Sequence, residues 1–377
     1  MQDSRDIDPT SLPQAIDALP GIDAVRRLAE QVPTYLVGGV VRDLLLGAEG
    51  VDLDIAIEGR ADALAGVPGY RPERDEHFLT GKLAAGDREI DVAQTRAESY
   101  PRPGALPEVR RASIGEDLAR RDFTVNAMAY PLADGAELLD PHGGVDDLRA
   151  GRIRVLHDGS FSDDPTRALR AARYAARFGF ELDPGTASLL ADADLSTVSE
   201  DRIQNELRRI AAEEDPARAL RLLVDWGVMP TLDPAAPERV AEVVRLASDP
   251  PWSDWVDRDL AVMLAIVRPL PQIRELVSAE PERPSDAFRL AQTWDPAQLL
   301  VARALGAEWL DDYAEKWRAV TLEITGEDLI AAGVPEGPAI GHGLEAALSG
   351  KLDGELSGRE QELQIALTAA RGELPED

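Results

Sequence analysis

The sequence predicts an α+β protein, with a small sheet-containing head followed by a long helical remainder. Two observations predict it. Strand-like runs crowd into the first third, at residues 35–37, 51–57, 78–85 and 88–93. From residue 163 apolar side chains recur at helical spacing. From residue 215 helix follows helix, broken at Gly227, Pro234, Pro237, Pro250, Pro251, Pro269 and Pro284. At 377 residues the chain exceeds one ordinary core, so two to four domains or subdomains are expected.

In chain order, residues 22–31 read as an amphipathic helix leading into the first strand. Gly38 and Gly39 break that strand, residues 40–46 resume with helical spacing, and Gly47 supplies a stop. Adjacent glycines between strand and helix let backbone approach a bulky anion, and the helix N-terminus aims N–H groups at it. Arg42, in the first turn, can add a bidentate phosphate contact. In the 51–57 strand, Asp52 and Asp54 lie two apart, so period-2 geometry puts both carboxylates on one face. Such a pair repels unless a cation sits between its members, and Mg²⁺ is the natural hard divalent occupant. A glycine turn alone is an ordinary turn, and an Asp-x-Asp alone is an ordinary solvated strand edge. Together they fit a nucleoside triphosphate with its metal.

Residues 59–75 read as a helix and a loop. Gly86-Asp87 joins two strands as a hairpin. Asp91, on the second of these, is either a third acid near the metal or a solvent-facing strand residue. Residues 100–109 hold three prolines and read as an extended loop. Asp122 and Asn126, four apart amid apolar neighbours, suggest a polar turn entering a buried helix, with Arg120 and Arg121 available to phosphate or sugar. Residues 139–149 read as a turn and short helix, and Gly143, Gly144 and Gly151 suit a hinge. In residues 163–178, Asp163 or Asp164 caps a helix that Pro165 opens. Arg167, Arg170, Arg173 and Arg177 then form one basic stripe, with Leu169, Ala172 and Ala176 inward. An ordinary arginine-rich surface helix has the same spacing. Ser199 caps a further amphipathic helix carrying Arg202, Glu206 and Arg209.

Composition excludes several classes. There are no cysteines, hence no disulfides or thiolate sites, and the four histidines (His77, His142, His157, His342) are scattered. The N-terminus lacks a signal-peptide pattern, and no apolar run approaches membrane-spanning length. A cytoplasmic protein is expected. The net charge of -30 disfavours broad RNA binding, but residues 151–221 carry 11 Arg against 13 acids, which allows a local basic groove. Residues 301–377 carry 6 basic side chains against 16 acidic.

Gly-Gly-x-Val-Arg-Asp followed by Asp-x-Asp resembles the head of the class II tRNA nucleotidyltransferase (CCA-adding enzyme) and bacterial poly(A) polymerase family. Arg120-Arg121-Asp122-Phe-Thr-x-Asn126-Ala is similar to that family's second motif, and Asp163-Asp164-x-x-Arg167 to its nucleobase-selecting motif, whose usual first acid is Glu. Arg202, Glu206 and Arg209 resemble the motif that braces the neck, and residues 326–341 resemble a C-terminal motif. The resemblance implies a polymerase-β-like head with a mixed sheet at 1–150. It also implies a helical neck for base recognition at 151–228, and a helical body and tail that bind tRNA at 229–377. It implies addition of CMP and AMP to a tRNA 3′ end from CTP and ATP, with Asp52 and Asp54 holding two Mg²⁺. Gly38, Gly39, Arg42, Arg121, Asp122, Asp164, Arg167, Arg170 and Arg173 would bind nucleotide. Asp122 would meet the ribose 2′-hydroxyl. Asp91, Asp163, Asn126 and Arg202 would be secondary. Asp164 can accept from the amino group shared by cytosine and adenine while Arg167 donates to the neighbouring ring nitrogen; uracil and guanine present a carbonyl there. The other readings are addition of CC alone or A alone, poly(A) synthesis, and a non-catalytic tRNA-binding protein. The short acidic C-terminus opposes poly(A) synthesis, and the intact Asp-x-Asp opposes the non-catalytic protein.

Overall fold

The computed structural model describes residues 7–48, 50–64, 66–72, 80–267 and 271–372. The chain divides into two compact units, Met1–Pro230 and Thr231–Asp377. No helix among the described residues is long and apolar enough to cross a membrane.

The first unit opens with helices α1 (Leu12–Asp17) and α2 (Ile22–Ala29), whose apolar faces are buried. Its centre is a six-stranded mixed sheet in the order β3-β4-β5-β2-β1-β8. These strands are β1 (Thr34–Val37), β2 (Asp54–Ile57), β3 (Tyr70–Pro72), β4 (Thr80–Ala85), β5 (Arg88–Gln94) and β8 (Ala129–Pro131). Only β2 and β5 run parallel; the other pairings are antiparallel. The sheet buries Leu36, Ile55, Ile57, Leu83 and Val92. Between β5 and β8 lie β6 (Arg96–Ser99) and β7 (Glu108–Arg111), a separate antiparallel pair flanking the proline-rich loop. Helix α4 (Ile114–Ala119) follows, opened by a capping box between Ser113 and Glu116.

Several local expectations change. The β2 ladder begins at Asp54, not at residue 51, because β1 ends at Val37 and Gly38 turns the partner strand away. Asp52 therefore precedes the strand, and period-2 alternation does not place it. The 59–75 stretch contains a 3₁₀ turn (Ala61–Leu64) and the edge strand β3, whereas a helix and loop were expected; Asp75, His77 and Phe78 lie outside the described residues. The 122–126 turn leads to a 3₁₀ turn (Thr124–Asn126) and then β8, not to a helix. Asn126 Nδ2 donates to Asp122 Oδ1 at 2.9 Å, which closes the turn, and pairing with β1 takes the chain onward. The Gly86-Asp87 hairpin forms as expected, with Gly86 at φ 64°.

Helix α5 (Gly144–Ala150) starts where Asp140 accepts from the Gly144 and Val145 N–H groups. A side chain at Gly144 would collide with the Thr124 carbonyl oxygen, so this glycine permits close packing. Next come α6 (Ser160–Asp163), α7 (Thr166–Phe178), α8 (Pro184–Ser188), α9 (Glu200–Ala211) and α10 (Pro216–Trp226). A short parallel ladder, β9 (Arg152–Ile153) with β10 (Glu181–Leu182), ties the two ends of α7 together. Asp163 falls inside α6, and the capping acid of α7 is Asp164, which accepts from Thr166 N at 3.0 Å. Ser199 stands at the α9 N-cap but makes no side-chain cap bond.

The second unit is helical, from α11 (Ala236–Ala247) through α12 (Arg258–Ile266), α13 (Pro271–Ser278), α14 (Pro284–Ala291), α15 (Pro296–Ala304), α16 (Trp309–Asp312), α17 (Gly326–Ala331) and α18 (Pro338–Leu352) to α19 (Arg359–Ala370). Proline opens five of these eight-residue or longer helices within their first two positions, where its missing N–H costs nothing.

Candidate active site

A cleft of about 1350 Å³ runs through the first unit, between the start of β2 and helices α7 and α9. Nine arginines and eight acidic residues line it. The two signs are distributed differently along it.

The carboxylate floor comes from the start of β2. Asp52 and Asp54 are both solvent-exposed, and neither has a salt-bridge partner among the described residues. On β5, Asp91 stands in register beside Asp54, already ion-paired with Lys82. Surrounding protein raises the Asp54 carboxyl above the ordinary carboxylate range; Asp91 and Asp52 add to the rise, and the Arg121 and Arg42 guanidiniums oppose it. The acids neighbouring Asp54 leave negative charge to be balanced. The donors are all oxygens, which suits a hard divalent cation. No group of three metal-binding side chains encloses a point in space among the described residues. A cation at Asp52 and Asp54 would therefore complete its shell from phosphates and water, the usual habit of Mg²⁺.

The Gly38-Gly39 turn lies beside this floor. Gly38 has φ 64°, and a side chain on it would strike the Arg121 guanidinium. Gly39 is 3.6 Å, measured from its missing Cβ position, from both Asp54 Oδ2 and Arg42 Nη2. Helix α3 (Gly39–Leu45) is only seven residues long, so its dipole adds little. The glycines matter chiefly for close approach.

Arg42 does not stand ready as a free phosphate fork. It is buried at 4% exposure, and all three of its nitrogens are engaged. Nε and Nη2 donate to the two Asp43 oxygens at 2.8 and 2.9 Å, and Nη1 donates to Asn126 Oδ1. Its plane lies over the Phe178 and Tyr174 rings, at 4.7 and 5.2 Å to the centroids. Arg42 is thus a pillar joining α3, the 122–126 turn and α7.

The α7 arginines are likewise no open stripe. Arg167 and Arg173 are buried at 5% and 8% exposure. Arg170 Nε and Nη2 grip Asp122 Oδ2 at 2.8 and 2.6 Å, and Arg170 Nη1 lies 3.5 Å from Glu206 Oε1. Arg173 Nη1 donates to Glu213 at 3.1 Å, and Arg177 Nε lies 3.7 Å from the same carboxylate. Buried Glu206 also pairs with Arg209. Burial opposes ionisation of Asp122, but Arg170 and Asn126 outweigh it and hold its carboxyl at about 2. Arg121 bonds Asp117 Oδ2 at 3.0 Å, and Arg120 bonds both Asp117 and Glu98. Arg121 Nε, Arg173 Nε and Glu206 Oε2 are buried without a hydrogen bond, although Arg173 Nε lies 3.9 Å from Glu206 Oε2 as an ion pair.

Asp164 and Arg167 face the same cleft. Arg167 Nη1 donates to Ser160 Oγ at 2.7 Å, and its Nη2 to the Arg120 carbonyl at 2.9 Å. Asp163 points elsewhere, with its Oδ2 3.9 Å from His157 Nε2. The neighbouring Tyr100 hydroxyl donates to Glu98 at 3.1 Å; burial, with Glu98 and Asp164 adding and Arg167 opposing, pushes it up to about 12. Glu98, Asp117, Glu213, Ser160 and Tyr100 were not expected as site residues. Tyr174 and Phe178 carried one signal, their spacing of four and eight residues from Arg170 along α7.

The cleft sets an exposed carboxylate pair at one side and a braced carboxylate–guanidinium pair at another, groups of the kind that meet a metal–phosphate ligand. Comparison with known proteins agrees. Residues 34–154 match the poly A polymerase head domain. The CC-adding tRNA nucleotidyltransferase of Deinococcus radiodurans is 35% identical over 94% of this chain and 93% of its own. The A-adding enzyme of Geobacter sulfurreducens is 32% identical over 90% of this chain, which spans only 45% of that longer protein. The solved Thermotoga maritima CCA-adding enzyme complexed with tRNA superposes with a TM-score of 0.73 at 29% identity, covering 98% of this chain and 99% of its own. The chain belongs to the tRNA nucleotidyltransferase family.

Proposed function

We propose that the protein adds CMP and AMP, from CTP and ATP, to the 3′ end of tRNA without a nucleic-acid template. The observation that carries this reading is one cleft lined by Asp52 and Asp54, by Asp122 with Arg170, and by Asp164 with Arg167. The chemistry needed for metal, sugar and base is there in one cavity. The head would span residues 1–150, the neck 151–228 and the body and tail 229–377. The setting would be the cytoplasm.

In this reading Asp52 and Asp54 hold Mg²⁺, which would lower the barrier by polarising the transferring phosphate and neutralising the charge that develops there. The Gly38-Gly39 turn lets the triphosphate come close. Arg121 and Arg173, which line the cleft, turn guanidinium charge toward its oxygens. Arg42 acts indirectly, by fixing the turn that carries Asn126 and Asp122. Asp122, fully ionised at neutral pH, accepts from the ribose 2′-hydroxyl, which a deoxyribose lacks. Asp164 accepts the amino proton of cytosine or adenine, and Arg167 donates to the adjacent ring nitrogen.

The A-adding and CC-adding relatives make partial addition the second reading. One assay separates all of these. The protein is incubated with tRNAs ending before CCA, after C and after CC, each with labelled CTP or ATP. Full addition extends all three; CC-only activity stops before A; A-only activity extends only the last. No incorporation on any substrate would overturn the proposal.

A further inference from the structure

Arg202 lies on α9, far in sequence from both the proline-rich loop and the base-facing pair, yet it touches both. Its Nη1 donates to the Gly104 carbonyl at 3.0 Å, and its Nη2 lies 2.8 Å from Asp164 Oδ1. The same Oδ1 accepts from Thr166 N at 3.0 Å and from Thr166 Oγ at 2.6 Å. Two hydrogen bonds and one ion pair thus converge on one carboxylate oxygen. Among the described residues no hydrogen bond falls on Oδ2, and Asp164 lines the cleft.

The loop end of this bridge is itself fixed. Gly104 N donates to the Ser162 carbonyl at 3.3 Å, and Gly104 has φ 68°. A side chain there would strike Thr197 and come within 2.7 Å of its carbonyl oxygen. Only glycine lets the loop backbone lie against this part of the molecule, and that contact sets where the Gly104 carbonyl stands.

We propose that Arg202 is a positioning residue for nucleotide selection: by binding Asp164 Oδ1 and the Gly104 carbonyl together, it fixes the carboxylate so that Oδ2 alone meets the base. A carboxylate free to turn presents either oxygen at any angle, and a base contact depends on direction as much as on distance. With Arg202 in place the acceptor is aimed at an amino group and repels a carbonyl. Without it Oδ1 keeps only its two Thr166 donors, the carboxylate plane is held less firmly, and discrimination between CTP and UTP weakens while the carboxylate floor is untouched. Guanidinium suits the task because its rigid fork reaches two acceptors at once, which an ammonium on a flexible stem does not.

This inference rests on the assignment of base selection to Asp164, and the experiment keeps the two apart. Single-nucleotide incorporation with CTP and UTP is measured for the parent, Arg202→Met, Arg202→Lys, Asp164→Asn and the Arg202→Met/Asp164→Asn double variant, each checked by thermal melting. Removing one directional contact should lower the CTP-over-UTP ratio of kcat/KM about 10-fold in Arg202→Met. Arg202→Lys should recover only part of the loss. The double variant should be no less selective than Asp164→Asn alone, because the two residues act through one oxygen. If Asp164→Asn relaxes selection but Arg202→Met keeps the parent ratio, Arg202 has no such role. If Asp164→Asn itself leaves the ratio unchanged, the base-selection assignment falls and this inference with it. Should Arg202→Met fail to fold, Arg202→Lys decides: a parental ratio overturns the proposal, a lowered one supports it. Gly104→Ala is an independent probe from the loop end; it should lower the ratio in the same direction, and a parental ratio would sever the loop from selection.

Discussion

The carboxylate floor and the arginine wall of the cleft are charged on opposite plans. On the floor, Asp52 and Asp54 stand exposed without salt bridges among the described residues, and Asp54 is held above its ordinary range. On the wall, Arg170 and Arg173 already meet Asp122, Glu206 and Glu213. The floor's charge awaits a ligand, and water tolerates it meanwhile. The wall's charge is mostly answered inside the protein, so the wall is a rigid frame that offers a few remaining donors. The difference teaches that counting arginines overstates how much of a site is free to bind phosphate.

The largest effect should come from the floor. Asp52→Ala or Asp54→Ala should lower nucleotide incorporation on the order of 10³-fold, because a catalytic ion is worth several kcal/mol of barrier. Both variants should melt close to the parent, since both side chains are exposed. Variants that keep more than a few per cent of activity, or that unfold, would erase the distinction between floor and wall.

The wall should answer in stability. Glu206 is buried at 5% exposure among Arg170, Arg173 and Arg209. Removing one member of a buried ionic cluster leaves uncompensated charge, so Glu206→Ala should destabilise the first unit by about 3 kcal/mol in a denaturant melt. A change under about 1 kcal/mol would mean that these guanidiniums are solvated and free, as the bare spacing suggested.

Base selection tests a single pair on the wall. Asp164→Asn adds a donor where only acceptors stood, so UTP and GTP should be less strongly excluded. The preference for CTP over UTP should fall by about 10- to 100-fold, with CTP incorporation surviving at a reduced rate. An even loss with all four triphosphates would reduce Asp164 to a helix cap.

This contrast also explains what could be read in the chain. Gly38, Gly39, Asp52, Asp54, Asp122, Asp164 and Arg167 stood out because each lies in a short stretch where residue type and spacing are informative, and all but Gly38 line the cleft. Other acids that answer the arginines did not. Glu98 and Glu213 come from separate elements, and their proximity to Arg120 and Arg173 exists only after folding; Glu206 was visible as a helix brace, but not as the partner of Arg170. Charged strands such as β6, Arg-Ala-Glu-Ser, lack the alternation that marks a half-buried strand. Arg42 misled for a related reason: its neighbour Asp43 consumes the fork that was expected to face phosphate.

The smallest effect is in acid, and it separates a wall carboxylate from an ordinary one. Asp122 is buried, and Arg170 and Asn126 hold its carboxyl at about 2 in the folded protein. An unfolded aspartate titrates near roughly 3.9. Between those values the unfolded chain binds the extra proton, so stability rises with pH across this window. The contribution is complete above about pH 5 and is lost as pH falls through the folded value. At pH 3 the loss is about 1 kcal/mol by this linkage. Asp122→Asn removes the ionisable group along with part of the Arg170 contact, so it should be less stable than the parent at pH 6. The gap between the two should narrow by about 1 kcal/mol at pH 3, as the parent alone loses the linked contribution. Paired urea melts of the parent and Asp122→Asn at pH 6 and pH 3 measure this directly. A gap that stays constant across that range would show Asp122 titrating as an unpaired acid, and would take Arg170 away as the group that braces it.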